Sequence, residues 1–205
     1  MLIDSESVWG SVREQVTKES GGRWHEGAQR EMMGMNSQEW SRYMRESLEV
    51  PMEAEEISEL VVERLRERYR REVPLLPHAV ATVRTVAESW PLGLASSSNR
   101  PLIDLVLELS GLAPCFRATV SSEEVGRGKP APDVYLEAAR RLGVEPPSCA
   151  AVEDSTNGIR SAHAAGMAVA VVPRPDFPPA SDALALADVA VRSLAGLAPA
   201  LRRLD

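Results

Sequence analysis

The feature that most restricts what this chain can fold into is a change of pattern after Pro74-Leu75-Leu76-Pro77. Beyond it, short apolar runs alternate with helical stretches, and residues 92–96, 118–120, 150–152, 168–172 and 189–191 read as strands. None of them alternates apolar with polar as a half-exposed strand does, so a parallel sheet buried on both faces is expected. Pro132 stands at the expected first position of a helix, and Gly143 and Gly166 stand where helices stop. Strand–helix alternation of this kind builds a doubly wound, Rossmann-like α/β core.

Residues 5–72 follow a different rule. Val8, Val12 and Val16 recur every four residues, and Ile57, Leu60, Val61, Leu65 and Tyr69 form a second stripe at helical period. Gly34 is expected to break one helix and Ser37 to cap the next. The mixed-sign run 63–71 reads as a solvated helix face. The expected organisation is therefore a small all-helical unit, 5–72, set between residues 1–4 and a core of 73–205.

Composition narrows the class. Against 23 Lys+Arg stand 30 Asp+Glu, a net charge of −7, so the basic field of a nucleic-acid binder is missing. No window approaches the ~18 apolar residues of a membrane span. The first residues have neither the basic flank nor the apolar stretch of a signal peptide. Cys115 and Cys149 are too few for a disulfide framework and read as packed thiols in a reducing compartment. A cytoplasmic protein with neither nucleic acid nor membrane as a partner is expected.

Familiar catalytic patterns fail. There is no Gly-x-Ser-x-Gly elbow. Gly126-Arg127-Gly128-Lys129 is no P-loop, because Glu123 and Pro130 stand where glycine and Ser/Thr are needed. His25, His78 and His163 are scattered. What remains lies at strand ends, where open α/β sheets bind ligands. Ser96-Ser97-Ser98-Asn99 puts hydroxyls and backbone N–H groups at a strand-to-helix junction, which suits an anion. In Gly128-Lys129-Pro130-Ala131-Pro132, a glycine and two prolines hold the backbone around one lysine, a point charge for phosphate. Glu153-Asp154, directly after an apolar run, offers the hard oxygens that suit Mg²⁺.

Taken in this order, the three turns resemble the haloacid dehalogenase-like family, in its helical-capped phosphatase and β-phosphoglucomutase-like branch. The matching residues are Ser96 after Leu-Gly-Leu-Ala, Lys129 in Gly-Lys-Pro-Ala-Pro-Asp, and Glu153-Asp154-Ser155 followed by Gly158 and Ala162. With Leu2-Ile3-Asp4-Ser5-Glu6 and the helical region included, the resemblance covers essentially the whole chain. It implies a cap inserted after the first strand, and Mg²⁺-dependent hydrolysis of a small phosphorylated metabolite, such as a sugar phosphate, through an aspartyl-phosphate. By that resemblance Ser96 and Lys129 are catalytic, Ser96 bonding the transferring phosphoryl group and Lys129 neutralising its charge. Asp154 and Glu153 would hold the metal. Ser97 and Asn99, with Gly34 and Asn36 of the cap, are the expected substrate-binding residues.

One element departs from the family's pattern. Its opening strand ends in Asp-x-Asp-Gly-(Val/Thr)-Leu-x-Asp-Ser, and here Met1 holds the Val/Thr position with only the tail following. The central first strand and both catalytic aspartates are absent from these residues, and Asp4 does not replace them. The expectation is a native start upstream of Met1, two open sheet edges, and chemistry impaired on the order of 10⁴–10⁶-fold as the chain stands. Two alternatives are a phosphomutase of the β-phosphoglucomutase type and a truncated, non-catalytic protein binding a phosphometabolite or a partner. Against the mutase, Ser37 stands where it has a cap arginine and Trp9 where it has a histidine.

Overall fold

The computed structural model describes residues 1–204. Four helices form one layer: α1 (Ser5–Glu19), α2 (Ala28–Met32), α3 (Ser37–Glu46) and α4 (Ala54–Arg71). The two stripes legible in the sequence meet here. Val12 and Val16 of α1 and Ile57, Val61, Leu65 and Tyr69 of α4 are buried together around Trp40, Met32 and Met44. The charged run on α4 points outward and makes surface pairs such as Arg66–Glu63 and Arg64–Glu19, each worth about 0–1 kcal/mol. Gly34 takes φ +82°, a conformation that suits glycine. The cap of α3 falls one residue earlier than expected: Asn36 Oδ1 accepts from the Glu39 N–H (3.0 Å), and Glu39 Oε2 accepts from the Asn36 N–H (2.9 Å). This reciprocal box satisfies two donors at once, which a cap at Ser37 would not.

The chain enters and leaves this layer through two adjacent segments. Ile3 pairs antiparallel with Leu75, the Asp4 N–H donates to Pro74 O (2.7 Å), and the Leu76 N–H donates to Leu2 O (3.0 Å).

The rest alternates strand and helix: α5 (Ala79–Ala87), β1 (Leu92–Ser96), α6 (Arg100–Ser110), β2 (Phe116–Ser121), α7 (Asp133–Leu142), β3 (Ala150–Glu153), α8 (Thr156–Ala164), β4 (Ala168–Val171), α9 (Ser181–Leu184), β5 (Val189–Ala190) and α10 (Leu197–Leu201). Gly143 caps α7 at φ +71°, and Gly166 follows α8 at φ +76°. All strand pairs are parallel, as expected of an α/β core. The sheet is divided, however: β1 pairs only with β2, and β3–β4–β5 form a second set. The free edges of β1 and β3 line one cavity of about 1030 Å³ that runs up beneath α1. This division places open edges on β1 and β3, as expected where the central first strand is absent from these residues. Val169, Ala170 and Val171 of β4 are buried, whereas β1 contains no fully buried residue, because one of its edges faces the cavity. Both cysteines are half-buried free thiols packed against the edges of the core clusters. Among the described residues, no helix is long and apolar enough to cross a membrane.

Candidate active site

The carboxyl ends of β1 and β3 are tied together by one side chain. The Lys129 ammonium donates to Glu153 Oε1 (2.6 Å) at the end of β3 and to Ala95 O (3.2 Å) near the end of β1. Its contact with Tyr135 Oη is long, at 3.4 Å, so one N–H direction has no close partner. Lys129 also lies over the Tyr135 ring, 4.7 Å from the centroid, a favourable cation–π placement.

Glu153 is the hub. Its Oε1 takes Lys129 and the Tyr135 hydroxyl (2.6 Å), and its Oε2 takes the Asp154 N–H (3.1 Å) and the Ser155 hydroxyl (3.2 Å). Four donors fill the carboxylate's lone-pair positions. Glu153 therefore orients the turn that carries Asp154, the supporting part the resemblance implies for it. Ser155 in turn caps α8, its Oγ accepting from the Gly158 N–H (3.1 Å). Gly158 is required by close approach, since a Cβ there would run into the Glu153 carboxylate.

Burial alone would raise the Glu153 carboxyl, but the Lys129 ammonium and the hydrogen bonds from Lys129 and Tyr135 outweigh it and hold the pKa at about 2. Burial and the Glu153 charge push the Tyr135 phenol well up, which keeps it a donor. A glutamate in the unfolded chain titrates near ~4.3. Folded Glu153 binds its proton more weakly, so its stabilisation is complete above that pH and is lost as pH falls from about 4.3 towards 2. The thermal midpoint is expected to drop through this window, and Glu153→Gln to flatten that part of the profile. A wild-type midpoint unchanged from pH 5 to pH 2.5 would contradict the assignment.

Around this hub the structure gathers Ser96, Ser97, Lys129, Glu153, Asp154 and Gly34 on the wall of the one cavity. Ser96 Oγ accepts from the Ser98 N–H (3.1 Å), which leaves its own proton free to donate. Two other expected substrate residues are engaged elsewhere. Asn36 Oδ1 caps α3 and Asn99 Nδ2 donates to Glu123 Oε1 (2.6 Å), and neither residue is among those lining the cavity. Glu123 Oε1 also accepts from Ser37 Oγ (2.6 Å), so this carboxylate links the helical layer to the core. Neither Tyr135 nor Glu123 was expected from the sequence. Tyr135 carried a cue, as the one tyrosine beyond residue 72, lying six positions after Lys129. Glu123 carried none.

The Asp154 carboxylate accepts no hydrogen bond among the described residues and faces the Met1 ammonium at 4.0 Å. Among those residues there is no cluster of three or more metal-ligating side chains. One free carboxylate still fits Mg²⁺, which is commonly held by one or two carboxylates together with phosphate oxygens and water. Asp4 is paired with Arg174 (2.9 Å) and is not among the residues that line the cavity.

Comparison with known proteins agrees with this geometry. The sequence profile of the haloacid dehalogenase-like hydrolases matches residues 1–172. A probable pseudouridine-5'-phosphatase of Drosophila melanogaster is 34% identical over 182 residues, covering 85% of this chain and 78% of that protein. Hexitol phosphatase B of Escherichia coli K12 is 38% identical over 144 residues, covering 70% of this chain and 64% of that protein. The crystal structure of β-phosphoglucomutase from Clostridium difficile superimposes with a TM-score of 0.84 at 18% identity, covering 100% of this chain and 92% of that one, a likeness of fold alone. A profile match over most of the chain, on a parallel α/β core with a helical layer above its strand ends, makes this chain a member of the haloacid dehalogenase-like hydrolase family, in its phosphatase and phosphomutase branch.

Proposed function

We propose that this chain supplies the phosphate and Mg²⁺ sites of a phosphatase acting on a small phosphate monoester of the sugar-phosphate class. The observation that carries the reading is the Lys129 ammonium, fixed between the ends of β1 and β3 on the same cavity wall as Ser96 and Asp154, with only the long 3.4 Å contact to Tyr135 Oη as its third partner. A phosphoryl group there would take the Ser96 proton and one from Lys129, both held in place before it arrives, which is how preorganised donors lower a barrier. Asp154 would hold Mg²⁺, with Glu153 fixing the turn through Asp154 N–H and Ser155. The metal, when bound, supplies charge neutralisation to the phosphoryl oxygens. The attacking carboxylate belongs on an extended segment seated between β1 and β3, whose carboxyl end would reach this point. An aspartyl-phosphate formed there would be cleaved by water.

Two side chains favour hydrolysis over isomerisation. Trp9 is buried against Arg13 and carries no group able to relay a proton. Ser37 is occupied with Glu123 and offers no charge to a second phosphate. The names of both relatives point the same way.

Calorimetric titration of the chain with glucose 6-phosphate tests the site. Mg²⁺ is expected to strengthen binding at least about tenfold, in line with a charge-assisted contact worth ~1.5 kcal/mol or more, and Asp154→Asn is expected to remove that gain. Binding indifferent to Mg²⁺ and to Asp154→Asn would sink the assignment.

A further inference from the structure

An ammonium paired with a carboxylate has several places to sit. It can bridge both oxygens or move between the lone pairs of one, and each choice sends its other N–H groups in a different direction. In this chain Tyr135 narrows the choice. Glu153 Oε2 is taken by the Asp154 N–H (3.1 Å) and the Ser155 hydroxyl (3.2 Å), which keeps Lys129 to Oε1. On Oε1 the Tyr135 hydroxyl and the ammonium each donate at 2.6 Å, so each of its two lone pairs has one donor. The two donor atoms stand 3.4 Å apart, too far for a strong bond between them.

The ring of the same residue closes a further direction. Its centroid lies 4.7 Å from Lys129 Nζ, so the ammonium rests against the aromatic face. The Ala95 carbonyl takes another N–H at 3.2 Å. Hydroxyl, ring and carbonyl together confine the ammonium to one position on the cavity wall that also carries Ser96 and Asp154.

Tyr135 is itself held from the core side. It lies in the first turn of α7, where its N–H donates to Pro132 O (3.0 Å). Its side chain is 8% exposed and belongs to the buried cluster of Val120, Ala138, Ala151 and Ile159. A phenyl ring would fill the same space, so packing does not call for the phenol oxygen. The carboxylate does, because without that donor one buried lone pair of Oε1 is left unpaired and the ammonium is free to move on to it.

We propose that Tyr135 is a positioning residue of the phosphate site: its hydroxyl and ring together set where the Lys129 ammonium stands and so how well it meets a phosphoryl group. It acts through Lys129 and Glu153 rather than on the phosphate. This role rests on the phosphate reading above and assigns to α7 a part in the site.

Two variants divide the role. Tyr135→Phe keeps the ring and removes the hydroxyl, and Tyr135→Leu removes both. Calorimetric titration of the whole chain with inorganic phosphate at saturating Mg²⁺ is expected to show binding weakened about 3- to 10-fold in Tyr135→Phe, the scale of one lost hydrogen bond. Tyr135→Leu should lose about 2- to 5-fold more, the scale of a cation–π contact. Mg²⁺ titrated alone should bind wild type and both variants equally, since Asp154 is untouched. In NMR spectra the Lys129 Nζ resonance should move in Tyr135→Phe, where ring and packing are kept. A residue that only fills space would leave phosphate affinity and that resonance unchanged in Tyr135→Phe. The conservative variant decides the hydroxyl's part by itself if Tyr135→Leu does not fold. Phosphate bound equally by wild type and folded Tyr135→Phe overturns the positioning role while the phosphate site stands. Equal weakening of phosphate and of Mg²⁺ alone overturns it as well, as general damage to the turn. If wild type binds no phosphate, or Lys129→Met binds it as tightly, the phosphate reading falls and this role with it.

Discussion

Lys129→Met is expected to abolish phosphate binding and to destabilise the fold by about 3–5 kcal/mol, the usual penalty for leaving one partner of a buried ion pair uncompensated. The pair is nearly dry: the side chains of Lys129 and Glu153 are 10% and 6% exposed. In the variant, the Glu153 carboxylate would keep the Tyr135 and Ser155 hydroxyls and one backbone N–H but lose the cation bonded to it. It would then take up a proton at a much higher pH. Adding Glu153→Gln should recover a large part of the stability and none of the binding, because the amide removes the buried charge without replacing the ammonium. The cycle of two single variants and the double variant, followed by urea unfolding and phosphate calorimetry, separates the two roles. Phosphate binding retained in Lys129→Met would show that the ammonium is a structural tie only.

The second large effect concerns the divided sheet. Adding before Met1 about five apolar residues and an Asp-x-Asp-Gly turn is expected to raise kcat on sugar phosphates on the order of 10⁴–10⁶-fold, the scale of supplying a nucleophile to a site. The direction is set by the structure. Strands β1 and β3 are parallel members of their sets, and both carry their chemistry at the carboxyl end. Met1 N lies 4.0 Å from Asp154, so a parallel strand leading into Met1 would deliver its last residues beside Ser96, Lys129 and Asp154. The extension should also raise the unfolding midpoint, since each buried backbone group it pairs is otherwise worth about 1–3 kcal/mol of penalty. Changing the first aspartate of the extension to asparagine should keep the stability and lose the turnover. A gain in stability with no turnover from the aspartate form would favour the binding-protein alternative.

Much of the core was legible because its strands are short apolar runs bounded by Gly, Pro and capping residues. The observed β1 coincides with 92–96, and the other strands differ by one to three residues at their ends. β2 ran longer than expected, by Phe116, Arg117 and Ser121, because Arg117 and Ser121 are polar and nothing local says that such residues continue a parallel ladder. At the candidate site, Ser96, Lys129 and Asp154 each sit on a turn recognisable in the sequence, and the structure brings them to one cavity wall. The Tyr135 bond to Glu153 was not legible, because the donor is brought in by another element. The packing of Arg13 between Trp9 and Trp40 was out of reach for the same reason. Trp9 and Arg13 are four apart on α1, but Gln29, Trp40 and Tyr69 come from three other places in the helical layer, and only packing unites them.

The paired segments at Ile3 and Leu75 carry a consequence for how such a protein can diversify. Because the chain leaves the core and returns at neighbouring points, the whole helical layer is, from the core's side, a closed loop anchored at one spot. Lengthening or exchanging such a loop changes closure entropy only slowly with its size. The groups proposed to handle phosphate, Ser96, Lys129 and Asp154, all lie outside that loop. Recombination at these two points would therefore exchange the helical layer while leaving those groups in place.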